Sequence, residues 1–143
     1  MLPKLTMVGR LTADPNLRFL ESGIAVCSFT VVANDRKKDD SGEWQDSGDP
    51  LFVRVTAWRQ LGENAAESLS KGDLAVVIGK LSQRKYTDND GNERTSLELT
   101  ADTVAPSLQF RQVKHSTERR SQRQQSSDDP WAAPPPDDSE PPF

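Results

Sequence analysis

Cysteine, histidine and tyrosine each occur once in the 143 residues. A single thiol, Cys27, makes no internal disulfide and leaves no cysteine set for a structural zinc site. The lone histidine, His115, sits in a polar stretch, so a Ser-His-Asp or Cys-His centre has nothing to be built on, and neither an enzyme nor a cofactor or metal site is expected. Long apolar runs are missing too. The longest, Leu74 to Ile78, covers five residues. That is too short for a membrane-spanning helix or a secretory signal, so a cytoplasmic protein with no membrane attachment is expected. Only 34% of the residues are hydrophobic, against 28% charged. With so little apolar surface to bury, part of the chain is not expected to fold.

Composition shows which part. Seven of the ten prolines lie at Pro106 or later, and the stretch from Thr117 to Ser127 contains no apolar residue. Residues 1–106 therefore read as one folded domain, 114–127 as a flexible polar linker and 128–143 as an acidic tail. Ser107 to Val113 is ambiguous, because Leu108 and Phe110 alternate with polar residues as in a short extra strand. Charge is segregated along the same divisions. The net charge is −4 for the whole chain, yet residues 107–127 carry five bases against one acid, and residues 128–143 carry five acids and no base. Within the domain, Asp39, Asp40, Glu43, Asp46 and Asp49 fall in one stretch that has no Lys or Arg. A negative total is thus compatible with a local basic groove.

The domain itself reads as strands. Leu2 to Leu11, Ile24 to Asn34, Leu51 to Trp58, Leu74 to Tyr86 and Arg94 to Val104 have β-type composition or alternation, with a short piece at Leu17 to Glu21. Gly79 marks a bulge or bend, and Asn89-Asp90-Gly91-Asn92 a hairpin turn. One helix is expected over Arg59 to Ser70, where Leu61, Ala65 and Leu69 recur every four residues and Lys71-Gly72 stops it. Five long strands with a helix between the third and fourth suit a small closed barrel of the OB type, with an open α+β sheet or another Greek-key barrel as alternatives.

Period two on Leu51 to Trp58 puts Leu51, Val53, Val55 and Ala57 on one face, and Phe52, Arg54, Thr56 and Trp58 on the other. The first set is core. The second sets two large aromatics beside an arginine, a combination suited to stacking nucleic-acid bases and holding their phosphates. Beyond Gly79, Lys80, Arg84 and Tyr86 repeat the pattern, and Arg36-Lys37-Lys38 adds a basic cluster. The alternative is that these aromatics pack in a core or against another subunit. Phe19 and Phe29 read as packing residues, and Trp44 as either a mobile contact residue or a loop anchor. At the far end, Asp137, Asp138, Glu140, Pro141, Pro142 and Phe143 combine acids, a stiff Pro-Pro and a terminal aromatic, suited to a basic pocket with an apolar floor.

Several stretches together carry a family resemblance: Val8 to Pro15, Leu17-Arg18-Phe19 with Ser22-Gly23, Phe52-Val53-Arg54-Val55 to Trp58, Leu61 to Asn64, Leu69 to Gly72, the Tyr86 hairpin and the acidic Pro-Pro-Phe end. In these the chain resembles bacterial single-stranded DNA-binding proteins over nearly its whole length. Asp128-Asp129-Pro130-Trp131, Pro106-Ser107-Leu108 and the Glu-Pro-Pro-Phe end look most like actinobacterial members, or a phage or second copy derived from them. The resemblance implies an OB-fold barrel assembled as a homotetramer. It implies single strands wrapped over stacking residues at Phe52, Trp58 and Tyr86, and no enzymatic activity. Where many members carry a further aromatic, this chain has Arg36-Lys37, which exchanges a stacking contact for phosphate contacts alongside Arg54, Lys80 and Arg84. The resemblance also implies a strand at Ser107 to Val113 that clamps a neighbouring subunit. The terminal peptide is expected to recruit replication, recombination and repair proteins, in a nucleoid-associated cytoplasmic location.

Overall fold

A computed structural model describes residues 1–114. Six strands and one helix follow in the order β1 (Lys4–Leu11), β2 (Asn16–Phe19), β3 (Ala25–Lys38), β4 (Trp44–Trp58), α1 (Arg59–Ser68), β5 (Leu74–Thr87) and β6 (Glu93–Pro106). The sheet runs β1-β5-β6-β4-β3-β2, and β1 also pairs with β3 through Arg10↔Val32 and Leu11↔Val31. That last pairing joins the five long strands into a ring, while β2 is an added edge beside β3. The ring is the OB-type barrel. All its neighbours are antiparallel except β4 and β6, which run parallel from Val53↔Leu97 to Thr56↔Thr100. Residues 1–110 form one compact unit.

Alternation builds the core. Each ring strand sends a nearly or fully buried residue inward: Leu11, Val31, Val55, Val77 and Leu99. Helix α1 adds Ala65, and Leu69 just beyond the helix end joins the same cluster. The chain enters this helix through Arg59, whose φ of +60° is left-handed. For a residue with a Cβ this costs roughly 1–2 kcal/mol, and it turns the backbone sharply out of β4 right after Trp58.

Two irregularities divide the long strands. In β3–β4 the register passes from Ala33↔Leu51 to Asp35↔Ser47, so Asn34 faces the span 48–50. Pro50 has no N–H to give a ladder and sits in that gap. Inward of the break the two strands are barrel wall; outward they form a hairpin arm. In β5–β6 the shift lies between Ile78 and Gly79, leaving Asp102 as the extra residue. A Cβ on Gly79 would collide with the carbonyl oxygen of Thr100. The sequence expectation of a bulge at Gly79 therefore has a steric cause.

The Val8 to Pro15 and Leu69 to Gly72 stretches meet in space. Asp14 accepts the backbone N–H of Lys71 at 2.8 Å, the Leu11 carbonyl accepts from Gly72 at 2.9 Å, and Arg10 donates to the Gly72 carbonyl at 3.0 Å. After β6, Ser107 makes one further backbone bond, to Leu74, and the Phe110 ring lies 5.4 Å from the Arg10 guanidinium carbon. Ser107 to Val113 forms no strand within the single chain. Phe29 is packed inside, whereas Phe19 is exposed at the end of β2. Among the described residues no helix is long and apolar enough to cross a membrane.

Candidate nucleic-acid interface

Directly paired residues share a sheet face, so the registers map the outer wall of the barrel. One row runs Thr30, Arg54, Glu98, Ser82 across β3, β4, β6 and β5, and the row beside it runs Ser28, Thr56, Thr100, Lys80. Strand spacing of about 4.8 Å puts Arg54 and Ser82 roughly 10 Å apart. Arg84 follows Ser82 on the same face and forms a 3.9 Å ion pair with Glu98. Lys80 lies in the field of Asp102, whose carboxyl is held below its ordinary value mainly by its hydrogen bond from Lys4. Three of the five basic residues singled out in the sequence, Arg54, Lys80 and Arg84, thus belong to one wall.

The aromatic residues frame that wall. Phe52 is 55% exposed and Trp58 44% exposed, at either end of the Arg54–Thr56 segment, while Val53, Val55 and Ala57 between them are buried. Six residues of extended strand separate their Cα atoms by about 20 Å. Neither ring belongs to the apolar core. Beside Arg54, an open concavity of about 230 Å³ lies between the Thr12–Asn16 turn and β3, lined also by Ser28 and Thr30. Sequence reasoning passed over these hydroxyls. Their signal was present, since Ser28 and Thr30 alternate with the inward Cys27, Phe29 and Val31.

Tyr86, Arg36 and Lys37 stand apart from this wall, on the two hairpin arms. Tyr86 is 48% exposed and opposite Arg94. Arg36 is paired with Asp46 at 3.4 Å, and Lys37 is opposite Gln45. Both arms end in the same five-residue turn. The Asp39 carboxylate accepts backbone N–H groups from Ser41 and Glu43 at 3.0 and 2.9 Å; the Asp88 carboxylate accepts those of Asp90 and Asn92 at 3.0 and 2.9 Å. Asp88 also receives the Arg94 guanidinium at 2.9 Å. Gly42 and Gly91 take the left-handed φ each turn needs. The acidic stretch that read as loop is therefore a hairpin, with one of its acids consumed as a turn pin.

These carboxyls predict a pH response. Asp39 is held below its ordinary 3.8 chiefly by the Ser41 hydroxyl, and Asp88 below its ordinary 3.8 chiefly by Arg94. A depressed folded-state pKa gives stability that is present above the unfolded value and lost as pH falls through the folded one. The Ser41, Glu43 and Asn92 amides should thus lose their hydrogen-bonded NMR shifts on acidification with midpoints below 3.8. Titration midpoints at or above 3.8 would reject the pinned turns.

The predicted tip residues Asp137, Asp138, Glu140, Pro141, Pro142 and Phe143 lie outside the described residues. Among the described residues there is no cluster of His, Cys, Asp and Glu fit to hold a metal ion.

A closed ring of five strands with one helix, carrying exposed aromatics and cations on its wall, defines an OB-fold protein with a surface of the kind that meets nucleic acid. The model of the single-strand binding protein family matches residues 2–110. The single-stranded DNA-binding protein of Mycolicibacterium smegmatis is 46% identical over 118 residues, covering 82% of this chain and 71% of that one. Single-stranded DNA-binding protein 1 of Tropheryma whipplei is 47% identical over 113 residues, 78% of this chain and 60% of the relative. A small single-stranded DNA-binding protein from Streptomyces coelicolor, known from its crystal structure, superposes with a TM-score of 0.68 at 33% identity, over 75% of this chain and 95% of that one. The chain belongs to the single-strand binding protein family and is most like its actinobacterial members.

Proposed function

We propose that this protein binds single-stranded DNA without reading its sequence, as a homotetramer, and shields exposed strands during replication, recombination and repair. The observation that carries the reading is the wall of the barrel. Phe52 and Trp58 stand exposed on either side of Arg54, with Lys80 and Arg84 brought onto the same face by the β4–β6–β5 registers. Aromatic rings take bases whatever their identity, and cations follow the phosphates. Tyr86, Arg36 and Lys37 extend the path onto the arms. Binding, with no bond made or broken, is the whole activity.

Assembly has support of its own. Val8 and Ile78 share the outer face of β1–β5 and are exposed there, which suits burial against a second copy. Leu108 and Phe110 are exposed as well, available to a strand that forms only on a neighbouring subunit. The terminal Phe143, with Asp137, Asp138, Glu140, Pro141 and Pro142, is proposed to hold replication, recombination and repair proteins in a basic pocket with an apolar floor, at the nucleoid in the cytoplasm.

One titration tests both halves. Full-length protein and a chain ending at Pro136 are titrated with oligo(dT), matched duplex and oligo(rU), following tryptophan fluorescence. Both proteins should prefer oligo(dT), with log affinity falling against log salt by about 0.7 per phosphate neutralised. Only the full-length chain should retain DNA-processing proteins in a pull-down. Preference for duplex, or for oligo(rU), would redirect the reading to another nucleic acid, and partner capture by the truncated chain would remove the tip from it.

A further inference from the structure

Trp44 stands apart from the wall that carries Arg54, Lys80 and Arg84. It lies in β4 directly across from Lys38, and at 62% it is more exposed than Phe52, Trp58 or Tyr86. It takes no part in the apolar core. An indole joins a large apolar ring to a polar N–H, a combination suited to a contact surface.

The way the arms are built indicates what that contact is. Both hairpins use one plan: an aspartate opens the turn, its backbone N–H bonds the carbonyl four residues on (Glu43 at 2.8 Å, Asn92 at 3.0 Å), and its carboxylate pins the turn amides. Close behind each turn an exposed aromatic faces a cation across the ladder. On the second arm the pair is Tyr86 and Arg94; on the first it is Trp44 and Lys38. Pinning matters because a ring held on a preformed hairpin loses little freedom when a base settles on it.

Charge is the objection, since the first arm holds more acids than bases. Its distribution answers that. The Asp39 carboxylate is occupied by the turn. Period two places Trp44 on one face with Lys38, Arg36 and Asp46, and Arg36 is neutralised by Asp46 at 3.4 Å. That leaves Lys38, directly across the ladder from Trp44, with no acid opposite it. An aromatic plane with a cation at its edge is the combination found on the barrel wall, where Arg54 lies between Phe52 and Trp58.

We propose that Trp44 and Lys38 form a further nucleotide subsite, in which the indole stacks one base and the ammonium meets the adjoining phosphate. The arm then lengthens the strand's path beyond Phe52 and supplies an aromatic where the third strand offers only Arg36-Lys37. The subsite rests on the single-strand reading above.

The test uses the full chain and a length series of oligo(dT), with mass measured in solution. Trp44→Ala should weaken binding of long oligonucleotides by roughly 5- to 160-fold, the range for one lost base stack. It should also shorten the occluded length while leaving the assembly mass unchanged. Trp44→Phe should restore most of both. If the unaltered chain fails to bind oligo(dT), the single-strand reading falls and the subsite with it. If the unaltered chain binds and Trp44→Ala binds identically, the subsite alone is wrong. A change of mass in Trp44→Ala would also overturn it, by making the arm a contact between copies.

Discussion

Trp58→Ala is expected to weaken oligo(dT) binding by about 1–3 kcal/mol, or roughly 5- to 160-fold, with fold and assembly intact. The ring is 44% exposed and outside the core, so its removal leaves no cavity inside the barrel. Phe52→Ala should cost a similar amount. The two Cα atoms stand about 20 Å apart along β4, far enough for the effects to add. The double variant should therefore lose about 2–6 kcal/mol. Fluorescence quenching on binding should shrink together with affinity. A double variant that assembles correctly and binds oligo(dT) like the parent would remove β4 from the DNA path.

Gly79→Ala should destabilise the barrel. The added methyl would enter the space of the Thr100 carbonyl, and that contact is with backbone rather than with a side chain that could swing aside. Relief requires β5 and β6 to part where the ladder changes register. Overpacking of this kind costs about 1–3 kcal/mol and occasionally more, and each kcal/mol lowers Tm by roughly 4–8 °C in a domain of this size. Differential scanning calorimetry reads the shift directly. A melting temperature unchanged within a degree or two would show that the bulge tolerates a Cβ.

The sequence carried much of this architecture where two physical rules agreed. On Leu51 to Trp58, alternation and β-propensity pointed the same way, and the structure buries Val53, Val55 and Ala57 while exposing Phe52 and Trp58; Leu51, expected in the core, is instead 48% exposed, because it lies at the register break where the strands leave the barrel wall. At Gly79 a glycine inside a strong strand pattern announced a local irregularity, and the register shift is there. The reading was weaker where composition masked geometry. In residues 39–50 five carboxylates with no Lys or Arg between them hide the strand signal on either side of the turn. Yet Asp39-Asp40-Ser41-Gly42 has the same aspartate-to-glycine spacing as Asp88-Asn89-Asp90-Gly91, which overlaps the turn read at Asn89 to Asn92. Comparing the two would have extended β3 to Lys38 and begun β4 at Trp44. At Ser107 to Val113 the alternation is real, but a strand needs an open partner edge. Within the single chain the ladder ends with the bond from Ser107 to Leu74, and Phe110 turns onto Arg10. Which cations meet on the wall depends on the parallel β4–β6 pairing, a contact between distant segments that no local pattern encodes.

Cys27 lies on β3 opposite Ala57, with no exposed surface, and burial raises its thiol pKa. A thiol so placed is shielded from oxidants and alkylating agents while the barrel stays closed. Because it is the chain's one cysteine, its modification rate counts the openings that uncover this one site, whether β2 or β4 parts from β3 or helix α1 lifts away. The molecule thus contains its own clock for barrel breathing: the slower a thiol reagent reacts in native buffer, the rarer the opened state.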